Sequence, residues 1–167
     1  MADNLNINAG ITINTTNAAL VAGTTSTVTS TVTTAQVING KFGTTLGAMT
    51  NAASPTTDAA TGLAFNSLKP NQTCAIVFGV NLAGTLGMCQ GEIIATNLGI
   101  TTTVGSLQYD PQFPGLPDDF CPLAYTIVRT APSAATWTPG SSSWAASGVS
   151  CTTFRNVAQL PNRPQAS

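Results

Sequence analysis

The side chains that could carry out chemistry in this chain are few. There is no histidine, so both the commonest general base and the commonest metal ligand are missing. Asp118 and Asp119, close to Asp110, could bind a hard cation, but adjacent acids in a proline-rich loop more often form turns. Glu92, the only glutamate, has no aspartate at a spacing recognisable for glycoside hydrolysis. We therefore predict no enzyme activity, no metal site and no cofactor.

Four cysteines could be free thiols or disulfides: Cys74, Cys89, Cys121 and Cys151. No histidine could activate a thiolate and no C-x-x-C spacing suggests zinc, so a catalytic thiol and a zinc site are both disfavoured. If residues 81–84 form a hairpin loop, Cys74 lies diagonal to Cys89 at about 7 Å, just beyond the span of a disulfide. Cys121 and Cys151 fall on two further predicted strands and could be neighbours. Buried thiols and disulfides both stay open at this point.

Two tryptophans flank a loop in the stretch "TWTPGSSSW". Trp137 and Trp144 could be exposed there and stack on a sugar ring, or they could pack in the core. Core packing is the more common use in a chain with so few aromatic residues. Exposed rings would instead make the chain a carbohydrate-binding or adhesive β module, which is the alternative function.

Charge is scarce along the whole chain. Only 7% of its 167 residues are charged, against roughly 25% in ordinary soluble domains. With a net charge of −1 and five basic residues, the chain offers no basic patch, so nucleic acid is not an expected partner. No apolar run reaches the roughly 18 residues of a membrane span, and no signal peptide is visible. Unless threonine, serine and asparagine maintain solubility, a surface this poor in charge suggests that partners cover it.

The stretch "GTTSTVTSTVTT", from Gly23 to Thr34, follows its glycine with eleven threonine, serine and valine residues and carries no charge. Threonine and valine favour pleated sheet, and their alternation places Val28 and Val32 on one face. Because no lysine protects it, we expect this strand to present an open edge that pairs with another subunit. The predicted interface residues are Thr27, Val28, Thr29, Thr31, Val32 and Thr33.

Other segments also have the pattern of strands. Asn39 and Gly40 predict a type I′ hairpin that sets Val37 opposite Phe42. "TCAIVFGV" predicts a strand buried on both faces, "LAYTIVR" a second strand and "GVSCTTFRNV" the last one. The stretch "DPQFPGLPDDFCP" predicts a rigid extended crossing, because its prolines cannot donate to a sheet. Without helical periodicity, the chain is predicted to be all-β: a compact antiparallel β-sandwich or barrel with extended N- and C-terminal arms.

The predicted organisation has three parts: an N-terminal arm or hairpin (residues 1–22), a β domain (residues 23–157) and a C-terminal tail (residues 158–167). A three-residue loop at residues 8–10 would pair Ile7 with Ile11. The same hairpin would place Leu5 opposite Ile13. The arm could equally pair with a neighbouring chain. The proline-bearing tail is not expected to form a regular strand.

Three stretches carry a family resemblance: "SPTTDAATGLAF", "PQFPGLPDDFCPLAYTIV" and "LPNRPQ". Together with the charge-poor, Thr/Ser/Asn/Gly-rich character of most of the chain, they resemble small structural proteins of tailed-bacteriophage virions, such as capsid decoration (cement) proteins and head fibres. The resemblance implies a symmetric homo-oligomer, often a trimer, seated on the capsid and assembled in the host cytoplasm. Its partners would be its own copies and the major capsid protein or another virion protein. No catalytic residue carries over.

Overall fold

A computed structural model of the chain describes residues 11–165. Within them there are twelve β-strands and no helix, and every strand pairing is antiparallel, which confirms the predicted all-β class. None of these residues forms a helix that could span a membrane. The strands are β1 (Ile13–Asn14), β2 (Leu20–Ala22), β3 (Thr27–Ser30), β4 (Gln36–Ile38), β5 (Lys41–Phe42), β6 (Met49–Ala53), β7 (Gln72–Asn81), β8 (Leu86–Gln90), β9 (Ile94–Ala95), β10 (Phe120–Thr130), β11 (Val149–Cys151) and β12 (Arg155–Asn156).

The main sheet is built on two long strands, β7 and β10, which pair along most of their length. β8 and β9 pair with the other edge of β7, and β11 and β12 pair with the other edge of β10. All residues of β7 except its two ends are buried, as the "TCAIVFGV" pattern predicts. A strand of this kind requires cover on both faces of its sheet.

One face of the main sheet is covered by two three-stranded sheets, β1–β4–β5 and β2–β3–β6. Their buried side chains Leu20, Val28 and Ile38 belong to the same core as Ile76 and Phe78 of β7. Hydrophobic burial between these layers supplies the main driving force for folding. The arrangement is compatible with the predicted β-sandwich.

The opposite face is covered by segments without regular strands. In the proline-rich stretch before β10, the ring of Phe113 packs edge-on against Tyr125 with centroids 5.0 Å apart. Leu160 of the tail packs against the same cluster. The extended crossing is thus confirmed up to the start of β10. Pro122, predicted to belong to it, instead lies inside β10, where a bulge between Pro122 and Ala124 accommodates its missing N–H.

The hairpin between β4 and β5 follows its sequence signal. Asn39 and Gly40 have φ values of 51° and 74°, the left-handed pair that a type I′ turn requires. Val37 lies opposite Phe42, as predicted.

The two ends of the chain join the body of the protein. β1 pairs with β4 and β2 pairs with β3, so the structure places residues 13–22 in the β domain rather than in an arm. The other half of the predicted N-terminal hairpin, residues 1–10, lies outside the described residues. The described part of the tail, residues 158–165, forms no strand, as its prolines predict. Its first residue, Ala158, accepts a backbone hydrogen bond from Asn14 at the outer edge of β1.

Candidate interaction surface

The threonine-rich segment supplies β3, the middle strand of the β2–β3–β6 sheet. Its alternation is as predicted, because Val28 and Ser30 are buried while Thr27 and Thr29 are partly exposed. The predicted open edge is wrong, because β2 and β6 occupy both edges of this strand. Strand addition by another subunit therefore has no free backbone groups to use along β3.

Of the six predicted interface residues, one is buried and the other five are partly or fully exposed. Val28 is fully buried in the core of its own chain, so its part in the prediction is wrong. Thr31 and Thr33, beyond the end of β3, are exposed, and Val32 between them is partly exposed. A contact through the threonine face stays a prediction.

The two tryptophans belong to the core. Trp137 and Trp144 are only 1% and 5% exposed. Their indole N–H groups donate to the carbonyl oxygens of Ser143 at 2.9 Å and Thr27 at 3.0 Å, and Trp144 also packs edge-on against Phe154. Core packing, the more common use considered from the sequence, is therefore confirmed. The alternative stacking platform is wrong, because the burial of both rings leaves no face for a sugar. The carbohydrate-binding alternative loses the residues on which it depended.

All four cysteines are free, which excludes the disulfides considered from the sequence. The β7–β8 register differs by one residue from the predicted one, so Cys89 lies opposite Val77 rather than Ile76. A shift of one residue turns a side chain to the other face of the sheet, and Cys74 and Cys89 therefore lie on opposite faces.

The second cysteine pair is also apart. Cys151 lies opposite Val128, which is about 23 Å along β10 from Cys121 at ~3.3 Å per residue. Burial raises the pKa of Cys74, Cys89 and Cys151 to about 12 and that of Cys121 to about 11. All four are therefore neutral thiols at physiological pH, and a neutral thiol is a poor nucleophile and a poor metal ligand.

Asp58 has a structural use that the sequence did not reveal. Its carboxylate accepts hydrogen bonds from the backbone N–H groups of Ala60 at 2.7 Å, Thr61 at 3.3 Å and Gln90 at 3.0 Å. The last of these lies on the outer edge of β8, so the Asp58 loop closes that edge. Asp58 and Glu92 line one hollow of about 440 Å³. Three backbone hydrogen bonds use the oxygens of Asp58, so the role that the structure shows for this carboxylate is to hold the loop against β8.

Three further aspartates among residues 11–165 lie on the surface. Asp110 forms an ion pair with Arg163 of the tail at 2.6 Å, and Asp118 and Asp119 are exposed. Residues 11–165 contain no group of three His, Cys, Asp or Glu side chains that could hold a metal ion.

A row of apolar side chains crosses the outer face of the β1–β4–β5 sheet. Ile13 pairs with Val37 and Val37 with Phe42, so the three side chains stand side by side. Phe42 is 87% exposed, and Ile11, two residues before Ile13, is 65% exposed. The other residues of β4 point inward and are buried. We call Ile11, Ile13, Val37 and Phe42 the apolar row.

The sequence contained a signal for the apolar row. The Asn39-Gly40 hairpin predicts that Val37 and Phe42 share a face. The buried position of Ile38 would then direct that face outward.

The apolar row has the chemistry of a protein-protein contact. It joins one exposed aromatic and three aliphatic side chains, and no charged group is among them. Removing such a surface from water contributes about 25 cal/mol per Å² of apolar area. Aromatic side chains at the centre of an interface contribute disproportionately to binding. Comparison of the chain with protein-family models, with curated proteins and with solved structures finds no match.

Proposed function

We propose that this chain is a structural protein of a tailed-bacteriophage virion, which decorates or cements the capsid as a homo-oligomer with trimeric symmetry. The family resemblance of three sequence stretches and the charge-poor composition support this proposal. The observation that carries it is the apolar row, which holds an 87% exposed phenylalanine. We assign the row to the contact with the capsid shell.

The outer edges of three strands are covered, which supports a partner contact through a sheet face rather than through a strand edge. The side chain of Asn156 closes β2, since its amide bonds both to the N–H of Leu20 at 2.7 Å and to the C=O of Leu20 at 3.0 Å. Asp58 closes β8, and Ala158 closes β1. Side chains on exposed faces are therefore the surface left for partners at these three strands.

The expected binding free energy of one apolar row suits a protein that binds as an oligomer. Complete burial of one large apolar side chain contributes about 1.5–3 kcal/mol, so the apolar row of a single copy would bind weakly. In a trimer, three rows on one side of a symmetric assembly engage together, and linked weak contacts gain avidity. A symmetric oligomer that binds through several weak contacts at once is what we expect of a decoration protein.

Co-sedimentation with capsids tests the assignment. The chain is mixed with capsids of the phage that encodes it, stripped of their decoration, and the bound fraction is measured as a function of concentration. Phe42→Ser should weaken binding about tenfold or more, because one buried aromatic side chain is lost from each contact. Leu63→Ser is the matched control, since Leu63 is also exposed, at 68%, but lies outside the row.

The native mass of the wild-type chain gives a second readout. The proposal expects a defined oligomer at micromolar concentration by light scattering. A wild-type chain that stays monomeric and does not sediment with capsids would overturn the proposal.

A further inference from the structure

A second exposed apolar feature lies far from the apolar row. Residues 96–107 form a short loop, here called the finger, whose two arms bridge at Thr96 and Leu107. Leu98 is 83% exposed and Ile100 is 79% exposed. The finger therefore presents two large aliphatic side chains to water.

The finger is held rigidly by hydrogen bonds. Asn97 donates through its backbone N–H to the carbonyl oxygen of Ser106 at 2.9 Å, and through its side-chain amide to the hydroxyl of Ser106 at 2.7 Å. Ser133, in the body of the protein, donates to the carbonyl oxygen of Thr101 through its N–H at 3.1 Å and its hydroxyl at 2.8 Å. The tip is thus fastened to the body, and little conformational entropy is left to lose on docking.

Two glycines make this tight path possible. A Cβ atom on Gly105 would overlap the carbonyl oxygen of Asn97, and a Cβ atom on Gly99 would overlap the carbonyl oxygen of Thr103. Only glycine allows so close an approach of two backbone segments. The sequence therefore specifies a particular finger shape, and that shape holds Leu98 and Ile100 in solvent.

A groove with matching chemistry lies near the start of β10. It is an open surface hollow of about 390 Å³, a space comparable to that of two aliphatic side chains. Asp118, at its rim, is the only charged residue that lines it, and the finger carries no charge at all. Docking would therefore bring no second charge into the groove, and the exposed Asp118 can keep its contact with water at the rim. The apolar wall consists of Leu116, Pro117, Phe120, Pro122 and Leu160.

The finger and the groove lie at opposite ends of the molecule. Asn71 donates to the carbonyl oxygen of Thr130, the last residue of β10, at 3.1 Å, and its side chain accepts from the N–H of Gly99 in the finger. Phe120, the first residue of β10, lines the groove. β10 has 11 residues, so the two sites are about 33 Å apart at ~3.3 Å per residue. A finger fastened at its tip cannot reach the groove of its own chain.

We infer that the finger of one copy inserts Leu98 and Ile100 into the groove of a second copy. The contact is head-to-tail, because the two surfaces that meet are different. Such a contact closes into a ring when the rotation between copies allows it, and otherwise grows into a fibre. This inference rests on the proposed homo-oligomer and goes beyond it by naming the two surfaces through which the copies meet.

Two complementary variants test the contact. Leu98→Ser with Ile100→Ser removes the insert, and both side chains are exposed enough for the fold to be retained. Gln159→Trp fills the groove from an exposed position at its rim, while Gln159→Ala, which leaves the groove open, is the matched control. Each blocking variant alone should self-associate roughly a hundredfold more weakly than the wild type. Gln159→Ala should keep the wild-type mass.

Mixing the two blocking variants gives the sharpest result. The finger variant still has an open groove and the groove variant still has an intact finger, so one productive contact is available per pair. Light scattering should then show dimers in the mixture and monomers in each separate sample, with unchanged circular dichroism.

The other outcomes separate this inference from the proposed function. If the finger variant keeps the wild-type mass, the inference is overturned, whether or not capsid binding is also lost. Loss of capsid binding alone would assign the finger to the shell instead. The proposed function itself is tested by the native mass and capsid binding of the wild-type chain and by the capsid binding of Phe42→Ser.

Discussion

At the scale of single residues, Asp58 is the ionisable group that the fold uses most fully. Hydrogen bonds to a charged group contribute about 1.5–3 kcal/mol each, and buried donors left without a partner add a penalty. We therefore expect Asp58→Ala to lower the free energy of unfolding by about 3 kcal/mol, measured by urea titration.

Asp58→Asn is the control for this prediction. It should lose less stability, because the amide oxygen can still accept from Ala60 or Gln90. Equal urea midpoints for the wild type and Asp58→Ala would show that the three hydrogen bonds do not hold the edge of β8.

The buried thiols predict a loss of stability at alkaline pH. Burial raises the pKa of Cys74 to about 12, whereas an unfolded cysteine has a pKa of about 8.5. Below pH ~8.5 both states hold the proton, and the stabilising contribution of the neutral thiol is fully present. As the pH rises from there towards 12, only the unfolded state ionises, so stability falls by about 1.4 kcal/mol per thiol and pH unit.

Cys74→Ala isolates the contribution of one thiol to this loss of stability at alkaline pH. The alanine variant starts less stable at pH 7 because of the cavity, but its stability should fall less steeply between pH 7 and pH 10 than that of the wild type. Parallel curves for the two proteins would contradict the assignment of a neutral buried thiol at this position.

At the scale of elements, features encoded by neighbouring residues could be predicted, whereas features that depend on distant residues could not. The Asn39-Gly40 turn and the doubly apolar β7 are encoded within a few residues, and both are confirmed. The β7–β8 register depends on the turn between the strands. There the side chain of Asn81 accepts hydrogen bonds from the N–H groups of Ala83 and Thr85. The loop contains one residue more than predicted. That single residue moved Cys89 to the other face of the sheet.

The neighbours of β3 are a second non-local feature. One of its partners, β6, includes residues 51–53, which begin a stretch with the composition of a loop. Occupation of both edges of β3 could therefore not be expected from local sequence. The burial of Trp144 likewise depends on Thr27, a residue far away in the sequence. The apolar row could be predicted only in part, because the hairpin shows which side chains share a face but not which face the core covers.

The edge of β2 gives a prediction at this scale. The side chain of Asn156 bonds to both backbone groups of Leu20, as a neighbouring strand would. Asn156→Ala removes both hydrogen bonds and should cost about 2 kcal/mol, which for a domain of this size corresponds to a fall in Tm of about 4–8 °C. Calorimetry measures the shift.

Hydrogen exchange distinguishes loss of the edge from general destabilisation. The amide of Leu20 should exchange much faster in Asn156→Ala, whereas the amides of β7 should keep the protection set by global stability. Unchanged exchange at Leu20 would show that the Asn156 side chain does not close this edge.

At the scale of the whole molecule, few charges remain to control association. The chain has five basic and six acidic residues, and the resolved ion pair joins Arg163 to Asp110 at an exposed site, where such pairs contribute little. The outer edges of β2, β8 and β1 are covered by the amide of Asn156, the carboxylate of Asp58 and the tail, whereas the edge strand β5 carries Lys41. With these three edges covered, apolar side chains on exposed faces are the surfaces through which contacts of defined geometry can form.

The response of the oligomer to salt follows from this surface. Ionic contacts weaken as salt rises, because the Debye length falls from about 10 Å at 0.1 M to about 3 Å at 1 M. Contacts between apolar side chains are not weakened by sodium chloride and are strengthened by sulfate. We therefore expect the native mass to be the same at 0.05 M and at 1 M sodium chloride, and the dissociation constant to fall when sulfate replaces chloride. Light scattering over a dilution series measures both, and dissociation in 1 M sodium chloride would show that the copies meet through their few charges rather than through Leu98 and Ile100.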